Sequence, residues 1–126
     1  MLWLEHVMIG FLLAWIYRKR QVGVMILGSI GPDLFMLPLV IKTGMFIEEW
    51  EGLSGSYLAN FVFLPHSIFS LLLVPENMRI YWFSHIVADI ISHKGEWAIR
   101  PFYPVSHWSY EGFYEPWVYL CAVKNV

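Results

Sequence analysis

The sequence predicts an all-α fold, a compact bundle of about four to six helices followed by an irregular, aromatic C-terminal tail. Three observations predict it. Hydrophobic residues make up 58% of the 126 residues, and the long apolar runs end at Pro, Gly or basic residues. No stretch sustains the period-two alternation of a half-buried strand. A chain of this length forms one domain, so we expect a single unit over residues 1–126.

The composition excludes several classes of protein. Charged residues make up only 14% of the chain, against about 25% in average soluble domains, which excludes a disordered chain. A net charge of −2 argues against a nucleic-acid binder that relies on a basic patch. The single cysteine, Cys121, excludes a disulfide scaffold and a CxxC-type zinc site. Two classes remain: a small membrane-associated protein, or a very apolar soluble helical domain, for which the expected location is the cytoplasm.

The first half of the chain predicts three helices. Residues 2–17 are apolar nearly all round, and the basic residues 18–20 follow, where the helix dipole favours cations. A second helix is predicted over residues 22–30 and is expected to stop before Pro32, because the residue before a proline resists the helical conformation. Pro32 and Asp33 suit the start of another helix that runs to about residue 42, with a kink or early end at Pro38.

The second half of the chain predicts two longer helices and an irregular end. The polar residues 43–56 indicate a short helix and a loop, and residues 57–74 a long helix with a break at Pro65. Pro75 opens a further helix that ends at Ser92 or His93. Prolines interrupt the aromatic tail, in which a short helix is predicted over residues 105–113.

Ionisable residues interrupt the long apolar segments. His6, Asp33, His66 and Asp89 each lie within one of them. Such a residue in a segment apolar enough to contact lipid marks a functional site by default. We therefore expect membrane association and a polar site within the bundle.

The fourth long apolar segment carries the most informative pattern, His85, Asp89 and His93. The spacing of four residues places all three on one helix face over two turns. Imidazole nitrogens and carboxylate oxygens are ligands that zinc and similar cations prefer. The alternative is a set of buried or solvated polar residues that neighbouring groups satisfy.

The remaining candidates are ambiguous one by one. His66 is either a core histidine or a ligand, with Ser67 and Ser70 either fixing its tautomer or bonding back to the helix. Asp33 is a capping carboxylate, a metal ligand or a general base. His6 on the first helix has the same two interpretations as His66.

A second pair of the same spacing, His107 and Glu111, follows fourteen residues after His93. These three residues form a candidate third metal position, or they are surface residues of a proline-rich segment. Taken together, every His and every Asp of the chain has a place in one ligand scheme. Because unpaired buried polar groups are costly, we expect the bundle to be built around a metal cluster.

The order of these pieces resembles a known family. Five pieces of the sequence, in this order, resemble the small membrane-bound metal-dependent hydrolases of the YdjM type. They are an early His6, the segment Gly28-Ser29-Ile30-Gly31-Pro32-Asp33, His66-Ser67, Ser84-His85 with Asp89, and Arg100-Pro101-Phe102-Tyr103-Pro104. The resemblance covers roughly residues 1–107. That family is in turn similar to the all-α zinc-dependent phospholipase C and S1/P1 nuclease group, which hydrolyses phosphoesters with up to three zinc ions.

The resemblance implies a set of site residues. One metal would be held by Asp33, His66, His85 and Asp89, and a second by His6, with Asp89 shared between the two. His107 and Glu111, behind His93, are similar to the remaining zinc site of the phospholipase. The chain departs from the pattern in having PDLFM where the family often has PD-x-D, and in its shorter length.

The resemblance therefore implies a hydrolase of phosphoester bonds that uses one to three zinc ions, or another divalent metal, to activate water. Asp33 and Asp89 are the expected catalytic residues. The resemblance places the protein at the cell inner membrane, and the aromatic tail is either an interfacial belt, which would favour a phospholipid substrate, or a lid over the helices. Two alternatives stay open: a non-catalytic membrane or scaffold protein with a structural metal, and an ion carrier.

Overall fold

The computed structural model describes residues 3–38, 41, 57–95 and 98–112. These residues contain four α-helices: α1 (Trp3–Ile16), α2 (Val22–Leu34), α3 (Asn60–Phe63) and α4 (Glu76–Ser92). Short 3-10 helices cover Tyr57–Ala59 and Ile68–Leu72, and no strand occurs in the described part of the chain. The predicted all-α class is confirmed, as are the predicted first helix and the helix that ends at Ser92.

Helix α1 ends in a hydrogen-bonded turn before the basic residues. Lys19 N–H donates to the Ala14 carbonyl at 2.9 Å and Arg18 N–H to the Trp15 carbonyl at 3.2 Å. This pair of bonds is the Schellman arrangement, which requires a left-handed residue. Arg18 takes that place with a φ of 52°, although glycine is the usual residue there.

The predicted stop before Pro32 is wrong, because α2 continues through this residue to Leu34. Pro32 lies in the last turn, so its missing N–H removes a single bond of the helix. Phe35 and Met36 then close the end by donating to the carbonyls of Pro32 and Asp33. Residues 39, 40 and 42 of the further predicted helix, and the predicted short helix and loop over 43–56, lie outside the described residues.

The long helix predicted over residues 57–74 is wrong in extent, because this segment holds one four-residue α-helix and two short 3-10 helices, but the expected break at Pro65 is present. The chain turns over residues 64–67 between α3 and the second 3-10 helix. Trp82 of α4 holds this turn, because its indole N–H lies 3.0 Å from both the Pro65 carbonyl and Ser70 Oγ.

The described part of residues 105–113, which ends at Gly112, does not form the predicted helix. Gly112 N–H donates to the His93 carbonyl, so this segment returns over the end of α4.

Helices α1, α2 and α4 pack against one another, with α1 antiparallel to the other two. Small residues permit close packing: a Cβ at Gly31 would overlap the Trp82 ring, and one at Gly28 would lie 2.8 Å from Tyr81 Cβ. The close α2–α4 contact places Asp33, two residues after Gly31, next to α4. No helix in the described ranges has both the length and the apolarity needed to cross a membrane.

Replacing Gly31 by Ala is expected to lower the free energy of unfolding by about 1–3 kcal/mol, because the new methyl group must displace a buried indole ring. Gly23 is the matched control. It lies in the first turn of the same helix with no atom within 4 Å of its would-be Cβ. Gly23→Ala should therefore raise stability by a few tenths to about 1 kcal/mol. Urea unfolding of both variants checks the pair, and equal effects would contradict this packing.

Candidate metal centre

Four separate segments bring their polar side chains to one point inside the bundle. His6 comes from near the start of α1, Asp33 from the last turn of α2, and His66 from the turn after α3. His85 and Asp89 lie one turn apart on α4. All five are buried. Asp33 is the most exposed of them at 8%, and the other four are each 1% exposed.

Four of these side chains have the mutual spacing of ligands around one ion. His66 Nε2 lies 3.1 Å from His85 Nε2. Asp33 Oδ1 lies 3.3 and 3.5 Å from these two nitrogens, and Asp89 Oδ2 lies 3.4 and 3.0 Å from them. Ligands at about 2.0–2.1 Å from a tetrahedral zinc ion are roughly 3.3–3.4 Å apart. Asp33, His66, His85 and Asp89 could therefore hold a metal ion, since one donor atom from each lies within 4.8 Å of all the others.

Backbone carbonyls orient both imidazole rings for this role. His66 Nδ1 lies 2.6 Å from the Val62 carbonyl, and His85 Nδ1 lies 2.5 Å from the Ser29 carbonyl. A carbonyl only accepts, so each Nδ1 carries the hydrogen and donates it. In a neutral ring Nε2 is then the atom with the lone pair, and in both rings this atom faces the cluster.

The cluster needs a cation at its centre. Two lone pairs at 3.1 Å and two carboxylates would repel one another unless a proton or a metal ion lies between them. Burial by itself lowers the pKa of His66, but hydrogen bonds and charge from Asp33 and Asp89 outweigh burial and raise it to about 9. The pKa of His85 is raised for the same reasons. The site therefore attracts positive charge strongly.

Both aspartates are held in the charged form. Burial alone would raise the pKa of Asp33, but hydrogen bonds from His66 and His85 lower it below its ordinary value. Burial likewise opposes ionisation of Asp89, and the surrounding histidines lower its pKa well below the usual range. Charged carboxylates are the form in which Asp binds metal.

Asp89 presents its two oxygens to two different sets of histidines. Oδ2 faces His66 and His85, whereas Oδ1 lies 3.1 Å from His6 Nε2 and 3.3 Å from His93 Nε2. A carboxylate placed in this way can bridge two cations. The structure thus brings His93 to the same oxygen as His6.

His6 places two buried ring nitrogens on the Oδ1 side of Asp89. Burial lowers the pKa of His6, and this effect outweighs the opposing effect of the Asp89 carboxylate. Its Nε2 lies close to Asp89 without the geometry of a hydrogen bond, and its Nδ1 and Ser29 Oγ are also buried without a hydrogen-bond partner among the described residues. Such polar atoms are costly to bury unless another species satisfies them.

The structure does not bring the pair His107 and Glu111 to this point. Both residues are exposed. His107 Nδ1 lies 3.4 Å from an Arg100 nitrogen, and Glu111 accepts from the Gly95 backbone N–H at 3.3 Å. The predicted roles of His107 and Glu111 as ligands remain predictions. The other six predicted ligands lie together in the bundle: His6, Asp33, His66, His85, Asp89 and His93.

Sequence reasoning missed the groups that hold the histidines in place. The carbonyls of Val62 and Ser29 carry no sequence signal, because every residue has one. Ser67 and Ser70 were predicted either to fix the tautomer of His66 or to bond back to the helix, and the structure shows the second arrangement. Both hydroxyls donate back to nearby carbonyls, of Leu64 for Ser67 and of Pro65 and Ser67 for Ser70, rather than to His66. Sequence reasoning also missed Trp82, whose indole N–H holds the turn that carries His66. The one available signal was its position one helical turn before His85.

Neither a family model, nor a curated protein, nor a solved structure matches this chain. The buried His/Asp cluster is therefore the observation on which a function can be argued.

Proposed function

We propose that this chain is a metal-dependent hydrolase of phosphoester bonds. The observation that carries the proposal is the arrangement around Asp89. One of its oxygens completes a four-donor group with Asp33, His66 and His85, and the other faces His6 and His93. One divalent ion, zinc by the chemistry of the donors, fits the first group, and a second ion on the other side of Asp89 would share the carboxylate.

A divalent cation in this site would supply charge for a phosphoryl oxygen and would lower the pKa of a water molecule. The chain's own residues do the rest. His66 and His85 are fixed by their carbonyl partners and keep the geometry of the site through the reaction. The surrounding burial excludes bulk water, which strengthens every charge interaction inside.

Asp33 is the residue best placed to meet the substrate. It is the least buried of the four donors, at 8% exposed, so a substrate would approach the cluster from its side. Its carboxylate stays charged, so it can orient the attacking water by accepting a hydrogen bond from it, while that water, with its pKa lowered by a bound cation, would release its proton to solvent. The oxygen of that water then bonds to phosphorus, the bond from phosphorus to the leaving oxygen breaks, and the leaving oxygen takes a proton from solvent.

The test is hydrolysis of bis(p-nitrophenyl) phosphate by the full chain loaded with zinc, with bound metal measured by elemental mass spectrometry on the same samples. We expect Asp33→Asn to lower kcat by about 100-fold or more, and Glu76→Gln, a change of an exposed acid at the start of α4, to leave it unchanged. Wild-type protein that binds zinc stoichiometrically but hydrolyses no phosphodiester would overturn the enzymatic proposal.

One observation favours the non-catalytic alternative with a structural metal. Four protein donors already complete one tetrahedral site, as in closed structural zinc sites, whereas catalytic sites keep an open position. Zinc binding that raises the unfolding temperature, together with the absence of hydrolysis in the same assay, would support this alternative.

A further inference from the structure

Helix α1 has its polar and apolar faces exchanged relative to an ordinary surface helix. The face turned into the bundle carries His6 and Gly10, both buried. The outward face carries large apolar side chains at the helical spacing i, i+4, i+7 and i+11, with further ones beside them. More than half exposed are Leu4, Met8, Phe11, Leu12, Trp15 and Ile16. Surface helices of soluble proteins normally show the opposite arrangement.

Three cations lie directly beyond this face. Arg18, Lys19 and Arg20 are all exposed and follow the last turn of α1. Together with Ala14, Trp15 and Ile16 they line an open depression of about 500 Å³. The depression therefore joins an apolar floor to basic side chains, which suits a group with a hydrocarbon part and an anionic part.

We propose that the outward face of α1, together with Arg18, Lys19 and Arg20, docks on the surface of a lipid bilayer that contains anionic lipids. The apolar side chains enter the boundary between headgroups and acyl chains, and the three cations contact lipid phosphates. The proposal concerns this surface alone and does not depend on the function proposed for the metal centre.

Charge favours a bilayer over a second copy of the chain as the occupant. The same face of a second copy would present the same three cations, while α1 contributes a single acidic residue, Glu5, near its start. A layer of lipid phosphates supplies the missing negative charge along the whole face. A contiguous apolar surface of this kind marks an interaction site in a folded protein.

The test is flotation of the purified full chain with vesicles of phosphatidylcholine, with and without 30% phosphatidylglycerol. We expect binding to the anionic vesicles that weakens at high salt. The triple change Arg18→Gln, Lys19→Gln and Arg20→Gln should lower the partition coefficient by on the order of 100-fold, and Leu12→Gln with Trp15→Gln at least tenfold.

The chain offers a matched control for the apolar change. Leu72 and Leu73 are 77% and 89% exposed, against 54% and 78% for Leu12 and Trp15, but they lie at the end of the second 3-10 helix. Leu72→Gln with Leu73→Gln should leave vesicle binding unchanged. Equal losses in the two double variants, or equal binding to vesicles with and without anionic lipid, would overturn the proposal.

Two further measurements separate loss of the docking surface from loss of the fold and from self-association. Bound metal and unfolding temperature should be the same in all variants, so that a loss of vesicle binding cannot come from a failed metal centre or fold. Sedimentation velocity without vesicles should show a monomer. A dimer that Leu12→Gln with Trp15→Gln dissociates would overturn the proposal in favour of a second copy as the occupant.

Discussion

Replacing Asp89 by Ala is expected to abolish metal binding and to destabilise the fold by about 3–5 kcal/mol. Four histidines lie within 3.0–3.4 Å of the two Asp89 oxygens: His6, His66, His85 and His93. Removal of the carboxylate leaves buried imidazoles without their counter-charge, and the loss of one partner of a buried charge pair costs about this much. It also removes the donor that both proposed ions share.

Elemental mass spectrometry and urea unfolding of the variant check this expectation. Glu76→Ala is the matched control, because it removes an exposed carboxylate from the first turn of the same helix. Asp89→Asn keeps the side-chain volume but not the charge, so it should also lose the metal while folding more readily than the alanine variant. Wild-type metal content in Asp89→Ala would refute the ligand scheme.

Removal of metal is expected to destabilise the protein far more at pH 9 than at pH 6. In the metal-free cluster, the pKa of His66 is about 9, against 6.5 in the unfolded chain. Its protonation therefore stabilises the fold fully below pH 6.5, by about 3 kcal/mol, and this contribution is lost as the pH rises through 9. A bound metal ion requires deprotonated ligands, so its contribution grows over the same range.

The opposite dependence holds on the acid side. The pKa values of Asp33 and Asp89 are lowered in the fold, so their contribution is present above pH 4 and is lost as the pH falls. The combined contribution of His66, Asp33 and Asp89 to the stability of the metal-free protein should thus be largest between about pH 4.5 and 6.5. Thermal unfolding with and without a chelator measures both effects, with His107→Gln as the control histidine. Equal chelator effects at pH 6 and pH 9 would contradict this account.

The all-α class and the four residues that could hold a metal ion could both be predicted from the sequence, whereas the ends of several helices could not. Asp33, His66, His85 and Asp89 stand out because the chain has so few Asp and His residues, and because α4 presents a regular spacing. The place of His93 was harder to predict, since a helical spacing from Asp89 does not say which oxygen the ring will face. The structure puts it beside His6, a residue from the other end of the described chain.

The errors in the fold have local physical causes. A helix end is predicted at Pro32 because the residue before a proline resists the helical conformation, but Gly31 fills this place, and it and Gly28 pack closely against α4 while α2 continues to Leu34. The helix predicted over residues 105–113 fails because the His93 carbonyl offers Gly112 N–H a tertiary partner that no local pattern shows. In the second case a contact distant in sequence decides the local structure.

The meeting of distant segments at Asp89 also bears on how the chain folds. The Ser29 carbonyl and His85 are 56 residues apart, and His66 and His85 are 19 apart, so large loops must close before the cluster forms. Contacts between residues distant in sequence slow folding. A metal ion that binds several of these segments as they meet would act as a clasp, because it would hold them together in the final stage of folding. Refolding should then speed up with zinc only if the clasp forms in the transition state. Zinc that slows unfolding alone would place it after the barrier.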